Sequence, residues 1–365
     1  MAALDLTVPV DQLAAALIDI PSVSGGEHAI ADAVETALAA HAPHLSVTRD
    51  GDALIARTEL GRPERVLVAG HLDTVPIKDN VPHTWQDDGT TLVGRGSVDM
   101  KAGVAVMLSL AAQLTEPARD VTWVLYDHEE VEESKNGLGR LSRHHPHLLE
   151  ADFAVLGEPT SATIEGGCNG TLRADITVRG RAAHSARAWK GVNAIHGLAP
   201  LLTALAAYEP ATVTVDGLEY REGLNAVGVR GGIAGNVIPD AATVTVNYRF
   251  APDKSVAEAQ AHVEAVVAGS GIADYSLEWT DLAAGCRPGL DAELARSFAA
   301  SVAAAGGGAP RAKVGWTDVA RFGALGIPAV NYGPGDPELA HADDERCPAS
   351  DIHACRAGLE AWLTA

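Results

Sequence analysis

Residues 65–70 read RVLVAG and are followed at once by HLDTVP. Two further runs share this form, VTWVLYD at 121–127 and DFAVLG at 152–157. Short continuous apolar runs bounded by turn residues read as buried strands. Between the first two lies 100–114, an apolar stretch long enough for a helix. A strand–helix–strand rhythm predicts an α/β domain around a central mixed or parallel sheet. Upstream, 11–20 and 27–40 carry the periodicity of amphipathic helices.

The rhythm changes after Thr171. Strand patterns are expected at 172–179, 225–234, 242–250 and 274–280, with helices at 192–207 and 255–268. This β-α-β-β-α-β order is that of a ferredoxin-like α+β unit. After Ala284 the first pattern resumes, with a helix at 291–304, a strand at 329–332 and a helix at 350–363. The expected organisation is a larger domain, 1–171 with 284–365, carrying an inserted domain at 172–283.

The chain has 365 residues, with 27 Lys and Arg against 48 Asp and Glu, a net charge of −21. Such a balance argues against nucleic acid, which demands a basic face, and against anionic membrane surfaces. It does not exclude a small anionic substrate, because a pocket can concentrate arginines against the global field. No apolar run reaches the roughly 18 residues of a membrane span. Residues 1–10 lack the basic and apolar regions of a signal peptide. Cys168, Cys286, Cys347 and Cys355 form no CxxC pair; they fit free thiols in a reducing cytoplasm, the expected location.

Acidic and imidazole side chains recur where predicted strands end. His71 and Asp73 follow the first strand. Asp99 lies in GRGSVDMKAG, Glu129 and Glu130 follow VTWVLYD, and Glu158 follows DFAVLG. In open α/β sheets, ligands bind beyond the carboxyl ends of strands. Each residue alone could be a turn former or helix cap. Together they form a set of zinc-type ligands. A further carboxylate outside the ligand set can serve as general base, and adjacent Glu129 and Glu130 suit that division. The histidines of RHHPH (143–147) look like a second cluster, but Pro146 and Arg143 suit an exposed loop better.

HLDTVP, GRGSVDMKAG, the EE pair and GEP, with PSVSGGE at 21–27, resemble the di-zinc aminoacylase and carboxypeptidase family of metallopeptidases. The likeness spans essentially the whole chain. It implies a di-zinc peptidase-like catalytic domain and an inserted dimerisation and lid domain. It implies two Zn2+ per subunit, with Co2+ or Mn2+ able to take similar ligands. His71 and Glu158 would complete one site, Glu130 and His341 the other, and Asp99 would bridge them. Glu129 would be the acid/base and Asp73 would orient His71. His184, in AAHSARAW, would act across a homodimer. The family more often has Asp and Gly where this chain has His128 and Val131.

KVGWTDVARFG at 313–323 and NYGPGDPELAH at 331–341 resemble the desuccinylase branch. That likeness implies hydrolysis of N-succinyl-diaminopimelate to succinate and diaminopimelate. Thr317, Arg321, Asn236 and Arg249 would contact substrate; arginine suits carboxylates because its planar fork binds them bidentately. Read alone, Arg249 could also be an ordinary exposed strand residue, the lesser of the two readings. Cys168 and Asn169 stand where that branch carries an Arg-rich stretch. Another N-acyl amino acid hydrolase, such as an acetylornithine deacetylase, is the enzymatic alternative. A catalytically silent metal- or ligand-binding relative is the alternative from another class.

Overall fold

The computed structural model describes residues 3–365. The chain divides into two compact units. One takes the residues up to Gly166 with Pro288–Arg311 and Arg321–Ala365; the other takes Gly167–Arg287 with Ala312–Ala320.

The first unit is built on an eight-stranded sheet. Its order is Ser46–Asp50, Ala53–Arg57, Asp120–Tyr126, Arg65–His71, Phe153–Leu156, Ala329–Asn331, Glu165–Gly166 and Arg311–Ala312. The four central strands from Asp120–Tyr126 to Ala329–Asn331 run parallel. Antiparallel pairs flank them: Ala53–Arg57 on Asp120–Tyr126, and Glu165–Gly166 on Ala329–Asn331. The sheet is therefore mixed. Its central strands are buried along nearly their whole length, which explains why they read as unbroken apolar runs.

Helix Lys101–Gln113 is buried on every side from Lys101 to Ala111, as a helix apolar all round must be. It packs against helices Val10–Ile18 and Ala349–Leu363, and the latter packs on Glu293–Ala304. Gly103 lets this helix settle on the sheet. A Cβ there would lie 2.3 Å from the Gly157 carbonyl oxygen. That close approach sets the helix start, just after Asp99, against the strand end that carries Glu158.

The second unit is a four-stranded antiparallel sheet, ordered Gly223–Gly231, Ala241–Phe250, Gly170–Arg179 and Tyr275–Ala283. Ala241–Phe250 alternates buried and part-exposed residues, the pattern of a sheet with one covered face. Leu201 of Ala199–Ala206 and Ala259, Val263 and Val267 of Val256–Gly269 join the core on that face. The second of these helices opens with a capping box between Ser255 and Glu258. Residues 192–207 form two helices, Ala194–Gly197 and Ala199–Ala206, where the pattern predicts one. Pro200 supplies no N–H to continue the first.

Candidate metal and catalytic site

Strand Arg65–His71 delivers His71 to the carboxyl edge of the sheet, where it is fully buried. Its Nε2 lies 3.0 Å from Asp99 Oδ1 and 4.0 Å from Glu158 Oε1. The other oxygen of Asp99 faces a second imidazole, with Oδ2 3.3 Å from His341 Nε2. That same nitrogen is 3.0 Å from Glu130 Oε2. The carboxylate of Asp99 thus stands between two imidazoles, each beside its own glutamate. One ligand atom from each of His71, Asp99 and Glu158 lies within 4.8 Å of the others, and the same holds for Asp99, Glu130 and His341. His71, Glu129 and Glu130 form a third such group.

Asp73 does more than sit beside His71. Its Oδ1 is 3.5 Å from His71 Nδ1. Its two oxygens also accept the backbone N–H groups of Glu129 (3.0 Å) and Glu130 (3.1 Å), and Oδ2 accepts the Ser24 hydroxyl at 2.6 Å. One buried carboxylate therefore gathers the HLDTVP, EE and PSVSGGE motifs. His128 carries φ +57°, its N–H donates to the buried Glu27 at 3.2 Å, and its Nδ1 lies 2.7 Å from Asp127 Oδ2. The loop before Glu129 is held there without the family's usual aspartate.

The site is strongly anionic. Burial opposes charge on His71, yet Asp73 and Asp99 hold its pKa well above the ordinary imidazole value. Asp99 and Glu130 raise that of His341 to about 10. Burial disfavours charge on Asp99, but the facing His341 and His71 keep its carboxyl far below the usual range. Two imidazoles among Asp73, Asp99, Glu129, Glu130 and Glu158 leave an excess of negative charge that divalent cations would neutralise. Nitrogen and oxygen donors in two trios sharing one carboxylate fit a pair of such ions.

The substrate-side residues divide between the units. His184 is exposed on Ala183–His184. It pairs with Val237, and the Asn236 carbonyl accepts from Ser185 at 2.9 Å, so His184 and Asn236 share one turn region. The His184 Nδ1 accepts from Ala186 N at 3.1 Å. In the neutral ring an accepting Nδ1 leaves the proton on Nε2, available as a donor. Arg249 is exposed, its Nε donating to Asn247 Oδ1 at 3.2 Å. Thr317 is buried in the second unit, where its carbonyl lies 3.7 Å from Cys168 Sγ. Asn169 is tied to the Arg221 carbonyl at 2.9 Å. Arg321 belongs to the first unit and donates to Glu133 Oε1 at 3.0 Å.

One feature escapes the motif reading. Lys101, two residues past Asp99, is buried with Nζ 2.7 Å from the Ile20 carbonyl, and burial pushes its pKa down to about 7. A lysine inside an apolar helix is the signal that points to it. RHHPH is occupied otherwise: His144 Nδ1 and His145 Nε2 lie 2.6 and 3.2 Å from Asp50 Oδ2.

The chain belongs to peptidase family M20/M25/M40, which it matches over residues 67–365. Within that class it is 56% identical over 360 residues to a DapE protein of Mycobacterium tuberculosis, covering 99% of each chain. It is 46% identical over 354 residues to the succinyl-diaminopimelate desuccinylase of Corynebacterium glutamicum, covering 95% of this chain and 94% of that one. Among solved structures, the Bacillus subtilis YXEP protein, a dinuclear metal binding peptidase of the M20 family, superposes with a TM-score of 0.73 at 15% identity, covering 98% of each chain.

Proposed function

We propose that this chain hydrolyses the amide bond of N-succinyl-LL-2,6-diaminopimelate, releasing succinate and LL-diaminopimelate for lysine and diaminopimelate synthesis. The observation that carries the reading is Asp99, with one carboxylate oxygen toward each of two imidazoles. Whole-length identity to desuccinylases supports the substrate.

In this reading His71 and Glu158 would hold one zinc ion, Glu130 and His341 another, and Asp99 would serve both; bound there, the ions would supply acidification of water and polarisation of the amide carbonyl. Glu129 accepts a proton from the attacking water. Oxygen bonds to the succinyl carbon, the carbon–nitrogen bond breaks, and Glu129 returns the proton to the leaving amine. Oriented proton transfer of this kind contributes about 10²–10⁴-fold. Asp73 keeps Glu129 and Glu130 in place through their backbone N–H groups.

Arg321, Thr317, Asn236 and Arg249 bind the substrate, whose three carboxylates suit guanidinium partners. The inserted domain expected at 172–283, within a catalytic domain of 1–171 and 284–365, corresponds to the core of the second unit, which extends over Gly167–Arg287 with Ala312–Ala320. Its strand order and helix placement support a ferredoxin-like fold, and dimerisation and lid closure are its proposed roles. The active form is a homodimer in the cytoplasm, with neither nucleic acid nor membrane as partner. Among the described residues, no helix is long and apolar enough to cross a membrane. Strand Gly223–Gly231 lies at the edge of its sheet with Val227 and Val229 exposed, and such an edge needs covering. His184 of the partner subunit donates Nε2–H to the developing oxyanion.

The test is a substrate panel on purified, zinc-loaded protein. N-succinyl-diaminopimelate should turn over at least about tenfold more efficiently than N-acetylornithine, a difference of ~1.4 kcal/mol. The opposite preference would make the chain a deacetylase. Hydrolysis of neither would leave a metal-binding relative.

A further inference from the structure

Glu345 lies four residues beyond His341, is 1% exposed and belongs to none of the groups above. Its Oε1 accepts three backbone N–H bonds, from Gly96 at 3.0 Å, Val98 at 2.8 Å and Asp99 at 3.0 Å. Its Oε2 accepts from Arg95 Nη1 at 2.7 Å. Arg95 is 2% exposed, and it also donates to the Ala342 carbonyl at 3.1 Å and, through Nε, to the Pro76 carbonyl at 3.2 Å. The pair therefore ties together three loops: the one after Asp73, the one that presents Asp99, and the one that carries His341.

Stability alone does not account for this arrangement. A buried ion pair is often matched or bettered by apolar residues of the same volume. Its geometry has another consequence. N–H groups converging from one turn make a concave anion site, and Gly96, at φ +87°, supplies the left-handed step that turns them inward. Filling that site with a carboxylate fixes the backbone of Asp99 itself. The same carboxylate comes from the His341 segment, so the two side chains cannot drift apart independently.

We infer that Glu345, braced by Arg95, is the positioning residue that holds Asp99 and His341 in register for the metal ion they would share. The inference rests on the metal-site reading proposed above. Partners that orient metal ligands in this way typically contribute about 10–100-fold to metal affinity.

The test is calorimetric titration of zinc into the metal-free, full-length protein. The wild type should show two binding steps, and His341→Ala should weaken one of them. Glu345→Ala should weaken that same step by about 10–100-fold and the other step markedly less, because Asp99 serves both ions while His341 serves one. If His341→Ala leaves both steps intact, the metal-site reading fails. If His341→Ala loses a step while folded Glu345→Ala binds both ions normally, or weakens both equally, the positioning role is overturned. Should Glu345→Ala not fold, Glu345→Asp serves. It keeps the charge facing Arg95 but is one methylene too short to reach all three N–H groups. It should weaken the His341 step about tenfold, and wild-type affinity in that variant overturns the inference.

Discussion

His71, proposed as a metal ligand, and His184, proposed as an oxyanion donor, have opposite surroundings. His71 is buried against Asp73 and Asp99, and the loops around it are pinned by buried carboxylates at Asp73 and Glu345. His184 is exposed, with its own turn setting the tautomer through Ala186 N. The buried part of the proposed metal site is thus braced by the fold itself. The substrate side offers donors from surface positions: His184, Asn236 and Arg249 are all exposed. Buried, cross-braced groups hold geometry to the tolerance that chemistry needs. Exposed groups gain their partners when substrate or a second chain covers them.

The sharpest way to break this contrast is at the two adjacent glutamates. Glu129→Gln should lower kcat by about 10²–10⁴-fold with metal content near normal, as steady-state kinetics and elemental analysis would report. Glu130→Gln should instead lose occupancy of one ion, because it removes a charged ligand beside His341. The reverse pattern would exchange their roles.

On the substrate side, removing one oxyanion donor costs about 10²–10³ in kcat, and His184→Ala should show that loss with metal binding unchanged. Mixing it with Glu129→Gln tests the partner assignment. Random exchange makes half the dimers mixed, each with one intact site, so activity should recover to about a quarter of the wild type under two-fold symmetry. Verified exchange without recovery removes the assignment in trans.

Arg321→Ala should lower kcat/KM for the succinylated substrate by about thirtyfold, ~2 kcal/mol, the low end for truncating a charge-paired group that substrate would cover. Zinc titration should be unaffected. Unchanged kinetics would point to a smaller or differently bound acyl group.

A further test is in pH. Asp99 and Glu130 raise the pKa of His341 to about 10. In the metal-free protein, stability from that proton is complete below the unfolded value near 6.5 and is lost as pH rises through about 10. Metal must displace the same proton. Apparent zinc affinity should therefore climb with pH between about 7 and 9, by about tenfold per unit for each proton released. Affinity independent of pH there would show that the imidazoles are already neutral.

Much of this was legible in the sequence, for identifiable reasons. Buried parallel strands need unbroken apolar runs, so RVLVAG, VTWVLYD and DFAVLG stand out, and the carboxylates following them mark the sheet edge. The hairpin Ser46–Asp50 with Ala53–Arg57 escaped notice because its outer strand, SVTRD, is largely polar and carries no apolar run. His341 could be reached only through family likeness, because its partner Glu130 lies 211 residues away in sequence. The clamps of Asp73 and Glu345 were invisible for a related reason. Their bonds go to backbone N–H groups, which carry no residue identity. The break at Pro200 is hidden because the residues on either side both carry a helical pattern.

In the proposed function one carboxylate, Asp99, would organise two metal ions for amide hydrolysis. Metal content per chain, measured with N-succinyl-diaminopimelate turnover on the same dialysed samples, tests it for wild type and Asp99→Ala. The account predicts two zinc ions and rapid turnover in the wild type, and loss of both metal retention and turnover in Asp99→Ala. A folded Asp99→Ala protein that keeps two ions and hydrolyses the substrate at the wild-type rate would contradict it.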